Sequence, residues 1–410
     1  MHVPAIRSLA KHLLAVSVTA TLAACGGGSD SDDTTSEEHE HEHNGRLLFS
    51  MTDDTSLRIF DQEDDSFSML ANDAAGVNAA LTLADNGLSA AVLASGTLNI
   101  VNSGLHSEEE EATLDEHEHE AASMLSLSLS QVDRVVATQG HFSVLTLNSS
   151  KLLPTDDIEA DGLDFEDTTG PASQTYPALM LDEEHGMLLF FAADKASVWE
   201  DGTAEGTEFS CTAPSASAQS DEFSMVLCNE GLSYLQVEEE NAVHTLTSGT
   251  VTLSAAATAL TTNGHDFVAW NSTSVWVIEE DDNGVPQAEL LTLESGSADI
   301  CSAAFATEDS ETLAVLSSDG YLNLISLEDD SISPVALDQT VTTGLTCDSL
   351  RLANGPEGFL VADKNAALLY LIDSHGGPYH VHSRFPDNQL SSAGAMVLMH
   401  AIDAGHTHDH

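Results

Sequence analysis

The stretch that decides the fold is Thr312-Leu-Ala-Val-Leu-Ser-Ser-Asp-Gly-Tyr-Leu-Asn-Leu-Ile-Ser-Leu327. Apolar and polar residues alternate on both sides of a Ser/Asp/Gly turn at residues 317–320, which predicts an antiparallel β-hairpin. A strand of small residues precedes this hairpin at residues 302–306, and a weaker strand follows it at residues 332–337. The unit is therefore predicted to be a four-stranded antiparallel sheet.

This four-stranded unit recurs along the chain with a period of about 44 residues. The first strands of the hairpins start near Arg46, Leu88, His141, Gly186, Phe223, Asp266, Thr312 and Gly358. A repeat of four strands with this period is typical of a β-propeller, in which each repeat forms one blade. Eight hairpins predict an all-β propeller of eight blades; seven blades and a pair of β-sandwiches are the alternatives.

The two ends of the repeat region predict how the ring closes. The first hairpin begins near Arg46 with the second strand of its blade, so that blade lacks an innermost strand. The last apolar segment, residues 395–402, can supply the missing strand by pairing with residues 46–51. Such pairing removes an open sheet edge. The propeller is thus predicted to span residues 46–403, followed by a His-rich tail at 404–410.

Four of the five cysteines fit this blade register as two disulfides. Cys211, Cys301 and Cys347 each lie 12 residues before an apolar position of a second strand, hence at the start of an inner strand. Cys228 ends the second strand of the blade that contains Cys211. We therefore predict the pairs Cys211–Cys228 and Cys301–Cys347. The competing interpretation, an all-cysteine metal site, lacks the usual CxxC spacing.

The N-terminal residues are typical of a secretion signal. Arg7 and Lys11 precede an apolar stretch at residues 13–22, too short to span a bilayer, and Leu-Ala-Ala-Cys25 resembles a bacterial lipobox. We expect cleavage of residues 1–24 and lipidation of Cys25. Gly26 then indicates the outer membrane, facing the periplasm. Residues 25–45 form an acidic, His-rich segment that is predicted to be a flexible tether.

The net charge restricts the partners. The 410 residues contain 10 Lys and Arg against 68 Asp and Glu, a formal charge of −58. This charge excludes nucleic-acid binding through phosphate neutralisation and disfavours adsorption to anionic lipid. It suits cations.

Nineteen histidines are present, and most of them cluster. Three clusters alternate with or adjoin acidic residues and are our candidate metal ligands: His39, His41 and His43; His106, His117 and His119; His406, His408 and His410. Neutral imidazole suits Zn²⁺, Cu²⁺ and Ni²⁺, and interleaved carboxylates offset the ionic charge. The alternatives are a solvated acidic linker and, for the first cluster, an expression tag.

A further cluster, His375, His380 and His382, is also explained by ordinary alternation in an outer strand. The propeller topology predicts that all four clusters open on one face, beside the closure between blades 8, 1 and 2. Of the remaining histidines, His141, His185 and His265 are expected in turns. His244 is expected in an outer strand, and His400 is expected as a hydrogen-bonded residue of the inner strand.

The pattern resembles the AztD-type periplasmic zinc metallochaperones, which are β-propellers with an acidic, His-rich N-terminal segment. The resemblance is carried by residues 39–49, 57–61 and 100–104, by the acidic His insert 105–120, and by the spacing of Cys211 and Cys228. It implies extracytoplasmic zinc binding and transfer of zinc to the solute-binding protein of a zinc ABC importer. Where family members carry further histidines at the starts of inner strands, this chain has Gln131, residues 174–176 and Ser215.

These observations favour a monomeric, lipid-anchored zinc-binding protein that captures Zn²⁺ on its His-rich segments. Binding should weaken as the pH falls toward the free imidazole pKa near 6.5. The alternative is an interaction scaffold that binds metal passively. No nucleophile elbow, HExxH motif or Gly-rich phosphate loop is present, so an enzyme is not expected.

Overall fold

The computed structural model describes an eight-bladed, all-β ring. It describes residues 45–400 except 72–76, 106–119, 157, 159–162, 221, 241–242, 282, 294–297, 307–310, 330, 338–343, 356–357 and 375–376. The described strands form eight antiparallel sheets of four strands each. The prediction of eight blades is therefore confirmed, and the seven-bladed and sandwich alternatives are wrong.

Each sheet is one blade, and consecutive strands run from its inner to its outer edge. Blade 1 contains β1 (Gly45–Met51), β2 (Leu57–Asp61) and β3 (Ser66–Ala71); blade 2 contains β4 (Ala80–Leu83), β5 (Ser89–Ala94), β6 (Thr97–Asn102) and β7 (Ser123–Ser130); blade 3 contains β8 (Val132–Thr138), β9 (His141–Thr146), β10 (Ser149–Pro154) and β11 (Glu166–Asp167); blade 4 contains β12 (Gln174–Asp182), β13 (Met187–Ala192), β14 (Lys195–Glu200) and β15 (Thr203–Ser210).

The second half of the chain repeats this arrangement. Blade 5 contains β16 (Ala216–Gln219), β17 (Phe223–Cys228), β18 (Gly231–Glu240) and β19 (Val243–Val251); blade 6 contains β20 (Ala259–Thr262), β21 (Phe267–Trp270), β22 (Val275–Glu280) and β23 (Pro286–Leu290); blade 7 contains β24 (Ile300–Phe305), β25 (Thr312–Ser317), β26 (Tyr321–Ser326) and β27 (Ile332–Ala336); blade 8 contains β28 (Leu350–Gly355), β29 (Gly358–Asp363), β30 (Leu368–Asp373) and β31 (His380–Pro386); β32 (Ala393–His400) returns to blade 1.

Two short 3-10 helices, Cys347–Ser349 and Asn388–Ser392, precede β28 and β32. Within the described residues, no helix has the length and apolar character needed to cross a bilayer.

The core lies between neighbouring blades. The second strand of a blade is covered on both sides, so β25 and β29 are buried along their whole length. The outer strand β31 instead alternates between exposed and half-buried residues. Apolar clusters fill the space between successive blades; one of them joins Leu47 and Phe49 of blade 1 to Leu360 of blade 8. This layering explains why the second strands are the most apolar segments of each repeat.

The ring closes by pairing of β1 with β32, as the sequence predicted. Gly45 pairs with His400 and Leu47 with Leu398 in an antiparallel register. Leu398 also fills the space above Gly355 of blade 8, where a Cβ atom would overlap its side chain. The closing strand thus hydrogen-bonds within blade 1 and packs against blade 8.

The two faces of the ring carry different connections. Face 1 carries the connection from the third to the fourth strand of every blade and, in blades 2–8, the connection from the first to the second strand. It includes residues 45 and 400, where the closing pair of strands begins and ends. Face 2 carries the connections from the second to the third strand and from one blade to the next.

Both predicted disulfides are present, and both lie at face 2. Cys211–Cys228 joins the connection that enters blade 5 to the end of β17 in the same blade, with a Cα–Cα distance of 5.1 Å. Cys301–Cys347 joins the starts of the inner strands of blades 7 and 8, with a Cα–Cα distance of 4.8 Å. Cys25 lies outside the described residues.

His400, the last described residue, is buried at the end of the closing strand. Its backbone N–H donates to the carbonyl of Gly87 at 3.0 Å, and its Nδ1 lies 3.4 Å from the carbonyl of Leu398. Its Nε2 is buried and has no hydrogen-bond partner in the described part of the chain. His400 is thus a hydrogen-bonded residue of the inner strand, as expected, through Nδ1. Burial lowers the pKa of His400, and the bond to Leu398 only partly opposes this effect.

The disulfide that joins two blades should contribute more stability than the one within a blade. The bonds close loops of 46 and 17 residues, so loop-closure entropy in the unfolded chain predicts about 4 and about 3 kcal/mol, respectively. We expect the C301S/C347S double variant to lose more free energy of unfolding than the C211S/C228S double variant. Urea unfolding measures both. An equal or reversed order would contradict this expectation.

Replacement of His400 should reduce the loss of stability in mild acid. Because burial lowers its folded-state pKa, the unfolded chain binds more protons below about pH 6.5, and stability falls as the pH drops below that value. We expect a smaller difference in unfolding free energy between pH 7.5 and pH 5.5 in H400L than in the parent chain. H265L, which changes an exposed turn, is the control. Identical pH dependence in H400L and the parent would refute this role.

Candidate metal centres

The described histidines share one location in the fold. All of them lie at the face 1 ends of strands or in face 1 connections: His141, His185, His244, His265, His380, His382 and His400. His185 and His265 occupy turns, since each backbone N–H donates to a nearby side chain, Asp182 and Asn263 respectively. His141 begins β9, where its Nδ1 contacts the carbonyl of Gln139. Imidazole ligands are thus concentrated on one side of the ring.

The nine candidate ligands from the sequence lie outside the described residues. They are His39, His41, His43, His106, His117, His119, His406, His408 and His410. Their attachment points are described, however. Residue 45 begins the second strand of blade 1, and residue 400 ends its first strand. Residues 105 and 120 lie on either side of the insert, within the connection between β6 and β7. All of these positions lie at face 1.

Arg46 joins the attachment points of the N-terminal segment and the insert. Its guanidinium is buried, and its Nε lies 3.0 Å from Oδ2 of Asp61 in the next strand. Its Nη1 donates to the backbone carbonyls of Ser103 and Glu120, which lie on either side of the insert in the connection between β6 and β7. The N–H of Glu120 in turn donates to the carbonyl of Gly104 at 3.0 Å. The base of the insert is therefore fixed against the start of β1.

A first group of side chains that could bind a metal ion lies in blade 8, beside the closure. Asp373 ends β30 and pairs in register with His380, which begins β31. Nδ1 of His382 lies 3.6 Å from Oδ2 of the buried Asp373, and one donor atom from each of the three residues lies within 4.8 Å of the others. His382 also lines a cavity of about 90 Å³ shared with Phe60 of blade 1. This group, Asp373–His380–His382, is called the seam group below.

A second group lies between blades 4 and 5. Asp182 ends β12, His185 follows in the turn to β13, and His244 lies at the start of β19 in the next blade. Oδ2 of Asp182 lies 3.0 Å from Nδ1 of His185 and 3.2 Å from Nε2 of His244. The imidazole rings are perpendicular, with centroids 4.5 Å apart. This group, Asp182–His185–His244, is called the inter-blade group below.

The inter-blade group favours an ionised carboxylate. Burial alone would raise the pKa of Asp182, but the backbone and side-chain hydrogen bonds of His185 and the proximity of both imidazoles outweigh it. The pKa is therefore lowered from its ordinary value. A carboxylate and two imidazoles form a donor set that Zn²⁺ accepts readily. Sequence reasoning placed His185 in a turn and His244 in an outer strand, but it did not bring them together with Asp182.

Face 2 carries no histidine in the described part of the chain. Gln174 begins β12 at this face with a buried side chain. Its Oε1 accepts a hydrogen bond of 2.5 Å from Ser150 Oγ. This glutamine is therefore engaged in the packing between blades.

No family model matches this chain, and no curated protein matches it in sequence. Solved structures do match this chain in fold. The apo form of AztD from Citrobacter koseri superposes with a TM-score of 0.68 at 15% identity, covering 86% of this chain and 97% of that one. A second structure of Citrobacter koseri AztD gives a TM-score of 0.66 at 16% identity, with the same coverage of both chains.

The AztD structures confirm the resemblance at the level of the fold. The superposition extends over nearly the whole AztD chain, so the two proteins share the entire propeller rather than a few blades. At this identity the likeness establishes the eight-bladed architecture alone. The function has to be argued from this chain's own residues.

Proposed function

We propose that this protein is an extracytoplasmic zinc-binding lipoprotein that captures Zn²⁺ and transfers it to the solute-binding protein of a zinc ABC importer. One observation carries the proposal: every described histidine lies at face 1, and every His-rich segment after residue 25 is attached there. The family resemblance and the lipobox support the proposed metal and location. The proposed role is that of a binding protein, not an enzyme.

The seam group is the proposed point at which zinc from these segments meets the folded ring. It lies in blade 8, which packs directly against blade 1, where residues 45 and 400 pair. His380 and His382 are exposed, whereas Asp373 is buried beneath them. An exposed pair of imidazoles over a fixed carboxylate can accept an ion by exchange of one ligand at a time. Such a site is open to an approaching partner.

The acidic character of the chain supports capture rather than permanent storage. Carboxylates around the imidazoles raise the local concentration of divalent cations, and this attraction is screened by salt. Imidazole and carboxylate ligands exchange without any redox step, because Zn²⁺ is redox-inert. Direct transfer then requires only that a partner's ligands replace these one by one.

The proposal predicts that zinc leaves the protein faster in the presence of its acceptor than by free dissociation. We expect zinc-loaded mature chain to load an apo zinc solute-binding protein at least tenfold faster than it loses zinc to a non-interacting chelator. Deletion of residues 37–43, which contain three histidines, should lower both the zinc bound and the transfer rate. Deletion of residues 30–36, equally long and free of histidine, is the matched control.

Stopped-flow measurements with a zinc-sensitive dye report both rates. Equal rates to acceptor and chelator would contradict the transfer role and leave a scaffold with passive metal binding. Equal effects of the two deletions would contradict the role of the first histidine cluster. Competition with Cu²⁺ and Ni²⁺ in the same assay tests the identity of the metal.

A further inference from the structure

The inter-blade group has the geometry of a preformed metal site that is separate from the His-rich segments. Its three side chains come from two blades: Asp182 and His185 from blade 4, and His244 from blade 5. Blade 5 lies diametrically opposite blade 1 in a ring of eight, so this group is far around the ring from the closure. All three residues belong to blades of the propeller, and none belongs to a His-rich segment.

The turn after β12 fixes two of the three donors. Oδ1 of Asp182 accepts the backbone N–H of His185 at 3.0 Å, which closes the turn and leaves Oδ2 for the imidazoles. Gly186 follows with a φ of +58°, a conformation that favours glycine and directs the chain into β13. The carboxylate and the first imidazole are therefore positioned before any ion binds.

The third donor is provided by the neighbouring blade. The His244 side chain is only 11% exposed, and it reaches the carboxylate from the start of the outer strand β19. Its Nε2 is buried and makes no hydrogen bond within the described residues, although Oδ2 of Asp182 lies 3.2 Å away. A buried ring nitrogen in this situation gains a partner when a metal ion binds between it and the carboxylate.

The carboxylate–imidazole spacings are close to those around a tetrahedral ion, and all three donor atoms lie within 4.8 Å of one another. Zinc binds imidazole nitrogen and carboxylate oxygen at about 2.0–2.2 Å, so two ligands of one tetrahedral ion lie about 3.3–3.5 Å apart. The distances from Oδ2 of Asp182 to the two imidazoles, 3.0 and 3.2 Å, require only small movements to reach this value. Three protein ligands leave a fourth position for water, as in zinc sites that remain open.

We propose that Asp182, His185 and His244 bind one divalent transition-metal ion of the Zn²⁺ class and thereby link blades 4 and 5. The seam group differs from it, since Nδ1 of His382 lies 3.6 Å from Oδ2 of Asp373 and both of its histidines are exposed. The donors of the inter-blade group are less exposed to solvent. This inference does not depend on transfer to a partner.

Removal of any one ligand should abolish this site. We expect D182N, H185Q and H244Q each to bind one zinc equivalent fewer per chain than the parent, or to bind that equivalent at least tenfold more weakly. Isothermal titration of the mature chain with ZnCl₂ against a competing chelator measures both quantities. H265Q changes an exposed histidine in the corresponding turn of blade 6, so it is the matched control. Far-UV circular dichroism excludes variants that fail to fold.

The outcomes separate this proposal from the proposed function. If all three ligand variants are folded and bind zinc as the parent does, the inter-blade group is a structural ion pair only, and the inference is overturned. Loss of the same single equivalent in all three supports it. A chain lacking residues 37–43 should keep this equivalent, because the group lies entirely within the ring. If the chain keeps the inter-blade zinc equivalent but does not transfer zinc to the acceptor, that result contradicts the proposed function and not this inference.

Discussion

Pairing between β1 and β32 is the constraint on which the rest of the structure depends. A ring of twisted sheets leaves two open edges unless its ends are joined, and here one blade takes strands from both ends of the chain. Gly45 pairs with His400, so the first and last described residues lie at the same face. Arg46 then ties the base of the blade 2 insert to this point through Ser103 and Glu120.

The closure therefore gives the two faces different roles. Face 2 carries both disulfides, one of which joins neighbouring inner strands at Cys301 and Cys347. Face 1 carries the described histidines, residues 45 and 400, and the base of the insert. A covalent link on face 2 joins blades 7 and 8, while the described histidines of face 1 lie at turns and strand ends. Under the proposed function, this separation places the metal ligands where a partner can reach them without disturbing the core.

Most of the fold could be predicted from the chain because hydrophobic alternation and turn residues are local signals. The hairpin at β25 and β26, the strand that closes the ring, and the cysteine register all follow from spacing alone. The inter-blade group could not be predicted in the same way. His244 meets Asp182 and His185 across two blades. A strand register within one sheet does not specify which side chains of neighbouring sheets touch.

The claim that transition-metal binding is concentrated on face 1 is tested most directly by anomalous diffraction at the zinc absorption edge. Crystals of the mature chain grown with Zn²⁺ should give anomalous peaks at this face alone. One peak is expected within about 2.0–2.2 Å of donor atoms of Asp182, His185 and His244. Peaks confined to face 2 would contradict the account, and so would an anomalous map with no peak at any histidine.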